Sequence, residues 1–219
     1  MNHFLLCVLY KVGAPKRRKY KSEERDLNEQ ELVERLQKKD AEAFDEFYRS
    51  YSAQAYRTAY FMLGSREDAE DVVQEAFVQV YLNIHRLRDP AGFRSWFYRS
   101  LTRLAWRKGR TSRREIPDED IALHADRESS GDSLTDLLQK EERDCIRMAV
   151  QRLDEKHRSI VVLYYYNEFS TKQIARITGC LEGTVKSRLY TARKRLERIL
   201  QQETSEGKYM ERIPDRSRA

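Results

Sequence analysis

The sequence predicts an all-α protein: two small helical domains joined by a flexible acidic linker, the C-terminal one a helix-turn-helix. Three observations predict it. Apolar residues recur at spacings of three and four and nowhere alternate with period two over a useful length. Of the 219 residues only eight are Gly and four are Pro, while 36% are charged. The charge is also blocked. Arg66 to Glu75 carries five acids and one base, and Arg94 to Arg114 eight bases and no acid. Glu115 to Asp144 then carries eleven acids and three bases. Blocks of opposite sign point to separate surfaces for separate partners.

The elements follow in chain order. "FLLCVLY" (Phe4 to Tyr10) is too short to span a bilayer, and the basic run "KRRK" follows it rather than preceding it, so neither a membrane helix nor a signal peptide is expected. Residues 1–26 read as a disordered extension. Asn28 with Glu31 is a capping-box start for a helix with Leu32, Val33 and Leu36 inward. Asp40 opens the next, with Phe44, Phe47, Tyr48, Tyr51, Ala55 and Ala59 inward and Gly64 placed to end it. Ser65 with Asp68 starts a third, inward at Ala69, Val72, Val73, Ala76, Val80 and Ile84. Asp89-Pro90 is an N-cap followed by proline at the first helical position, opening a fourth helix to about Lys108. The first domain is thus expected over 27–108.

Residues 109–132 lose apolar periodicity and gather Gly, Ser, Asp and Glu, the composition of a flexible linker. Periodicity resumes from Leu134 to Leu153, and Asp154 caps a helix containing "SIVVLYYYNEF". In "STKQIARITGCLEGTVKSRLY", Ser170 with Gln173 is a capping box, Ile174, Ala175 and Ile177 form the stripe of a short helix, and Gly179 makes a turn. Glu182 begins a longer basic helix. The second domain is expected over 133–201, with 202–219 a disordered tail.

A short helix, a tight turn and a basic helix make a helix-turn-helix, whose second helix enters the DNA major groove. Val185, Leu189, Ala192 and Leu196 would dock that helix on the domain. Thr184, Lys186, Ser187, Arg188, Tyr190, Thr191 and Arg193 are left outward, with Lys194 and Arg198 further along, all able to bond base edges or phosphates.

Taken together, "LDEKHRSIVVLYYYNEFSTKQIARITGCLEGTVKSRLYTARKRL", "SREDAEDVVQEAFVQVYLNI" and "FRSWFYRSLTRLAWRKGR" resemble the bacterial extracytoplasmic-function sigma factors of RNA polymerase, over about residues 27–200. The resemblance implies a region 2-like domain at 27–108 and a region 4-like domain at 133–201, which bind the -10 and -35 promoter elements. Asp71, Gln74 and Glu75 match the residues that meet the clamp helices of the polymerase's largest catalytic subunit; they lie within about one helical turn, so they share a face. The flap of the second subunit is the other implied contact. Arg94, Trp96, Arg99, Arg103, Arg107 and Lys108 fall on the helix that captures the -10 strand. Aromatic rings beside a basic track suit an unpaired strand, although Trp96 and Phe97 equally suit the core of a small domain. The chain departs from the family there, with Arg103 where many members have Asn and Arg107 where they have Asp. The linker suits either a solubilising tether or, by resemblance, a segment threading into the polymerase cleft. An anti-sigma factor, in many members a membrane protein, is a further implied partner.

A helix-turn-helix activator that binds duplex DNA without polymerase is the rival reading. An enzyme is not expected. There is no Gly-rich phosphate loop and no GxSxG, and His3, His85, His124 and His157 are scattered. Cys7, Cys145 and Cys180 lie far apart with no CxxC, which fits a reducing cytoplasm and predicts neither a metal site nor a cofactor.

Overall fold

The structure, a computed structural model, describes residues 22–115 and 146–205, with side chains placed over 29–111 and 146–202. The predicted extension up to residue 21, the linker over 116–132 and the tail from 206 lie outside the described residues, as does the start of the second domain at 133–145. All described elements are helical: α1 (Ser22–Gln37), α2 (Ala41–Leu63), α3 (Arg66–Asn83), two 3₁₀ turns (Ile84–Arg86 and Pro90–Gly92) and α4 (Phe93–Glu115). There follow α5 (146–151), α6 (Glu155–Val161) running into a π turn (Val162–Tyr166), α7 (Thr171–Thr178) and α8 (Glu182–Ser205).

The cap chemistry stands where the sequence puts it. Asp40 accepts from the Glu42 and Ala43 N–H groups, Ser65 from Asp68, Asp89 from Ala91 and Asp154 from His157. Such side chains satisfy orphan donors at a helix start. Gly64 and Gly179 end their helices in the left-handed region, φ +83° and +70°, which costs a residue without Cβ little. Three boundaries differ from the sequence reading. α1 is already helical at Ser22, ahead of Asn28, and no Gly or Pro interrupts it between the two. α4 continues past Lys108 to Glu115 because Gly109 faces Leu63 closely, its missing Cβ 3.4 Å from Leu63 Cδ2. α8 runs on to Ser205.

Phe47 is the hub of the first domain. It is fully buried, and its ring meets Phe77, Phe93 and Phe97 at centroid separations of 4.7, 5.4 and 5.4 Å. These edge-on and tilted contacts are the arrangement aromatic quadrupoles favour. Tyr48, expected inward, is instead 51% exposed: it is next in sequence to Phe47, and a helix turns about 100° per residue, so one of the two must point away.

The two domains pack on each other. The C-terminus of α2 meets α5 and α6, and α4 lies along α7. Gln151 Nε2 donates to the Phe61 carbonyl at 2.8 Å and, more weakly, to Tyr60 at 3.4 Å. Arg158, only 7% exposed, donates to the carbonyls of Met62 (2.8 Å), Gln151 (2.6 Å) and Leu153 (2.8 Å). Asn167, fully buried, donates from Nδ2 to Thr58 Oγ1 at 2.9 Å. The seam is therefore stitched largely to backbone carbonyls.

Replacing Arg158 by Ala strips several buried carbonyls of their donor. Each unsatisfied buried group costs about 1–3 kcal/mol, so Arg158→Ala is expected to lower stability by about 2–4 kcal/mol, read as a lower urea midpoint. Arg158→Lys should recover little of it, because an ammonium lacks the planar fork that reaches several carbonyls at once.

Candidate nucleic-acid and polymerase interfaces

The acidic helix α3 buries Ala69, Val72, Val73, Ala76, Phe77 and Val80. With that stripe inward, Asp71 and Gln74 are exposed and Glu75 is half-buried. The three share one face, as their spacing requires. That face is not vacant. Arg107 Nη2 of α4 lies 2.5 Å from Glu75 Oε1, and Lys108 Nζ lies 2.8 Å from Asp71 Oδ2 and 3.4 Å from Asp68 Oδ1. The Asp71 hydrogen bond raises the Lys108 pKa against the opposing effect of burial. Asp71, Gln74, Glu75, Val78, Leu104, Arg107 and Lys108 line one open groove between α3 and α4. Residues expected to serve polymerase and residues expected to serve DNA thus meet along it.

The remaining members of the basic-aromatic set divide by helix face. Arg99 and Arg103, one turn apart, are exposed and present positive charge to solvent. Phe97 is fully buried in the first domain, while Trp96 is half-buried with its ring 6.3 Å from Phe93. Arg94 turns toward the second domain, donating from Nη2 to the Asn167 carbonyl at 2.8 Å with its guanidinium 4.6 Å from the Phe169 centroid. Trp106 donates to Ser159 Oγ at 3.2 Å.

In the second domain α7 begins with the predicted reciprocal box. Ser170 Oγ accepts from the Gln173 N–H at 3.2 Å, and Gln173 Oε1 accepts from the Ser170 N–H at 2.9 Å. Ile174 and Ile177 of α7 are buried together with Val185, Leu189, Ala192, Leu196 and Leu200 of α8. The opposite face of α8 carries Lys186, Ser187, Tyr190, Lys194 and Arg198, all exposed, with Thr184, Arg188 and Thr191 half-buried beside them. Two of the predicted readers are engaged within the chain. Glu182 accepts from Thr171 Oγ1 at 2.8 Å and pairs with Lys186 Nζ at 2.9 Å, and these bonds, Lys186 first, lower the Glu182 pKa. Arg193 donates to Tyr165 Oη at 2.7 Å with its guanidinium near the Tyr164 and Tyr165 rings. The sequence reading named Glu182 only as the start of its helix and did not single out Tyr165; an acid four residues before Lys186 is the local signal for the first pairing, and the second has no local signal.

With this geometry in view, the comparisons decide between the two readings. Residues 47–115 match the Sigma-70 region 2 family and residues 143–196 the Sigma-70, region 4 family. The ECF RNA polymerase sigma-E factor of Haemophilus influenzae is 32% identical over 185 residues, covering 80% of this chain and 96% of that protein. The chain belongs to the extracytoplasmic-function sigma factors of RNA polymerase. The ECF RNA polymerase sigma factor SigW of Bacillus subtilis is 29% identical over 179 residues, 77% of this chain and 94% of that one. In fold, this sigma factor is similar to the sigma factor RpoE of Bartonella quintana, solved in complex with the anti-sigma factor NepR (TM-score 0.54, 24% identity, 71% of this chain and 97% of that one). Its function is accordingly promoter recognition and transcription initiation with RNA polymerase, and it is not an enzyme. Among the described residues no helix is long and apolar enough to cross a membrane.

α8 is also tied near its middle. Arg195 Nη1 bonds Asp154, the N-cap of α6, whose carboxylate also meets His157 Nδ1 at 2.7 Å. Burial alone would raise the Asp154 pKa; the His157 and Arg195 bonds outweigh it and hold the group at about 2, below the ordinary 3.8. A depressed carboxylate stabilises the fold above its unfolded value and stops doing so as pH falls through the folded one. The stability gap between the wild-type chain and Asp154→Asn, measured by thermal melting, should therefore be full at neutral pH and close between about pH 4 and pH 2.

Proposed function

We propose that this sigma factor docks on core polymerase through Asp71, Gln74 and Glu75 of α3, which the clamp helices of the largest subunit would meet, and through its second domain on the flap of the next subunit. The exposed Arg99 and Arg103 receive the -10 strand, joined by Arg94, Trp96, Arg107 and Lys108 once their present partners release them. The exposed and half-buried face of α8 reads the -35 duplex: Thr184, Lys186, Ser187, Arg188, Tyr190 and Thr191 toward bases, Arg193, Lys194 and Arg198 toward phosphates. The observation that carries this reading is the division of α8 into one buried apolar face and one polar, basic face behind a capped turn. An anti-sigma factor is the regulatory partner we assign, supported by the likeness to RpoE, and the chain acts in the cytoplasm.

The -10 and -35 elements are named for positions about 25 base pairs apart, roughly 85 Å of duplex at about 3.4 Å per pair. Two domains in contact cannot occupy both. On the promoter the seam between α2, α4 and the second domain is therefore open.

Two outcomes test the assignment. Asp71→Arg with Glu75→Arg should abolish association with core polymerase in a pull-down while circular dichroism stays helical, since both side chains are solvent-accessible; retained binding would remove this surface from the reading. For α8, holoenzyme binding across a randomised -35 library at several salt concentrations separates two kinds of contact. Arg188→Ala should shift preference at one or two positions, costing about 1–3 kcal/mol at the preferred base. Lys194→Ala or Arg198→Ala should weaken all sequences alike and make the salt dependence shallower by about one unit.

A further inference from the structure

Leu181 and Gly183 are poor choices for folding. Leu181 is the residue before α8, and its carbonyl accepts the first intrahelical bond, from the Val185 N–H at 3.1 Å. That makes it the N-cap. The caps of α2, α3, α6 and α7 are Asp40, Ser65, Asp154 and Ser170, each accepting a backbone N–H through its side chain. Leucine has no acceptor and is among the least favourable residues at that position. It is also 79% exposed, more than any other large apolar side chain among the described residues. The isobutyl group neither packs nor caps.

Gly183, two residues on, repeats the pattern. It lies inside α8, where glycine is less favourable than alanine. A Cβ added there would meet no atom within 4 Å, and the same holds for Gly179 on the other side of the turn. Packing within the chain therefore does not explain Gly183. A bare backbone next to an unsupported apolar tip fits close approach by another molecule. The surroundings fix its chemistry, because Lys186, Ser187 and Arg188 lie on the following turn, a setting for a polyanion rather than for an apolar protein surface. Along the major groove of duplex DNA, the base-edge group that an aliphatic side chain contacts is the thymine C5-methyl.

We propose that Leu181 is a specificity-determining residue of this sigma factor, selecting thymine at one position of the -35 duplex through contact with its C5-methyl, with Gly183 leaving room for the base edge. This rests on the reading that α8 enters the major groove.

The test uses holoenzyme assembled from the full chain and core polymerase. Its -35 sequence is first selected from a randomised library, and each thymine is then replaced in turn by deoxyuridine, which removes the methyl and leaves every hydrogen-bonding group in place. At one thymine the replacement should weaken wild-type binding by about two- to fivefold, the worth of one buried methyl-sized group. In Leu181→Ser and Leu181→Ala that penalty should vanish. The free Leu181→Ser chain should melt at a temperature no lower than wild type, because serine supplies the missing cap, so promoter selectivity and stability move apart. A deoxyuridine penalty that persists unchanged in both variants overturns the proposal, as does a selected -35 element with no sensitive thymine. Weakened core association by Leu181→Ser in the absence of DNA also overturns it, by assigning the side chain to polymerase. Failure of the underlying reading looks different: Arg188→Ala and Leu181→Ser would then both weaken all sequences equally, whereas failure of the Leu181 proposal alone leaves the Arg188→Ala shift in preference intact.

Discussion

A helix leaves its last carbonyls without intrahelical donors, and where α2 ends the second domain supplies them. Gly64 turns the chain and satisfies only the Tyr60 carbonyl through its own N–H, at 2.8 Å. Phe61 and Met62 are served by Gln151 and Arg158, some 90 residues further on. Gln151 fits because Gly64 has no side chain: a Cβ there would lie 3.1 Å from the Gln151 amide. The relation of the two domains thus follows from one helix end that its own domain does not close. Around it the seam is polar in a particular way. Asn167 Oδ1 lies buried in it, and Thr102 Oγ1 is buried on α4, one turn from Tyr98; neither has a hydrogen-bond partner among the described residues. Each such group gains water when the domains part, which offsets part of the cost of exposing Phe169, Tyr98 and Phe61. The seam thus combines hydrogen bonds to carbonyls with apolar contacts, Phe61 on Tyr166 and Tyr98 on Phe169.

Charge couples the two faces of the first domain. Arg107 and Lys108 neutralise Glu75 and Asp71 across the groove, so a cation arriving at the acidic face competes with α4 for the same oxygens. These pairs are largely solvent-exposed, and exposed pairs are worth at most about 1 kcal/mol each. They therefore yield readily to a partner that buries the same carboxylates with bidentate geometry. What is displaced is positive charge on the helix that also carries Arg99 and Arg103.

Much of this was legible in the sequence because it is local. Asp40, Ser65, Asp154, Ser170, Gly64 and Gly179 mark their helix ends by chemistry acting within four residues, and the inward stripes of α3 and α8 follow from helical period alone. The family motifs marked the outward face of α8 and the acidic triad as candidate interfaces. What escaped is non-local. Nothing near Arg94 indicates that it will stack on Phe169, and the pairing of Arg107 with Glu75 joins residues 32 apart. Tyr48 was misplaced because an apolar aromatic beside a core position looks inward until the helix is built. The extension of α4 was missed because glycine at 109 reads as a stop, and only the proximity of Leu63 gives it a packing role inside a helix.

The π turn at Val162–Tyr166 shows how such non-local constraints reach α8. Its wider i→i+5 spacing, with the Asn167 N–H on the Val162 carbonyl at 3.1 Å, adds a residue to the turn relative to an α-helix. Consecutive in the turn, Tyr164, Tyr165 and Tyr166 point in different directions. Tyr166 meets Phe61 of the first domain at 5.2 Å, while Tyr165 receives Arg193 of α8. The same short segment therefore touches the interdomain seam with one ring and the middle of α8 with another. Because Arg193 and Arg195 are fixed from behind, by Tyr165 and Asp154, the later part of α8 is held at a set angle to the domain. Its N-terminal end is held on α7 through Glu182, which bonds Thr171 and Lys186, while Ser187 and the preceding Leu181 are exposed. The angle of α8 to its domain is thus set in part by Tyr165 and Asp154, which lie on other elements of the second domain.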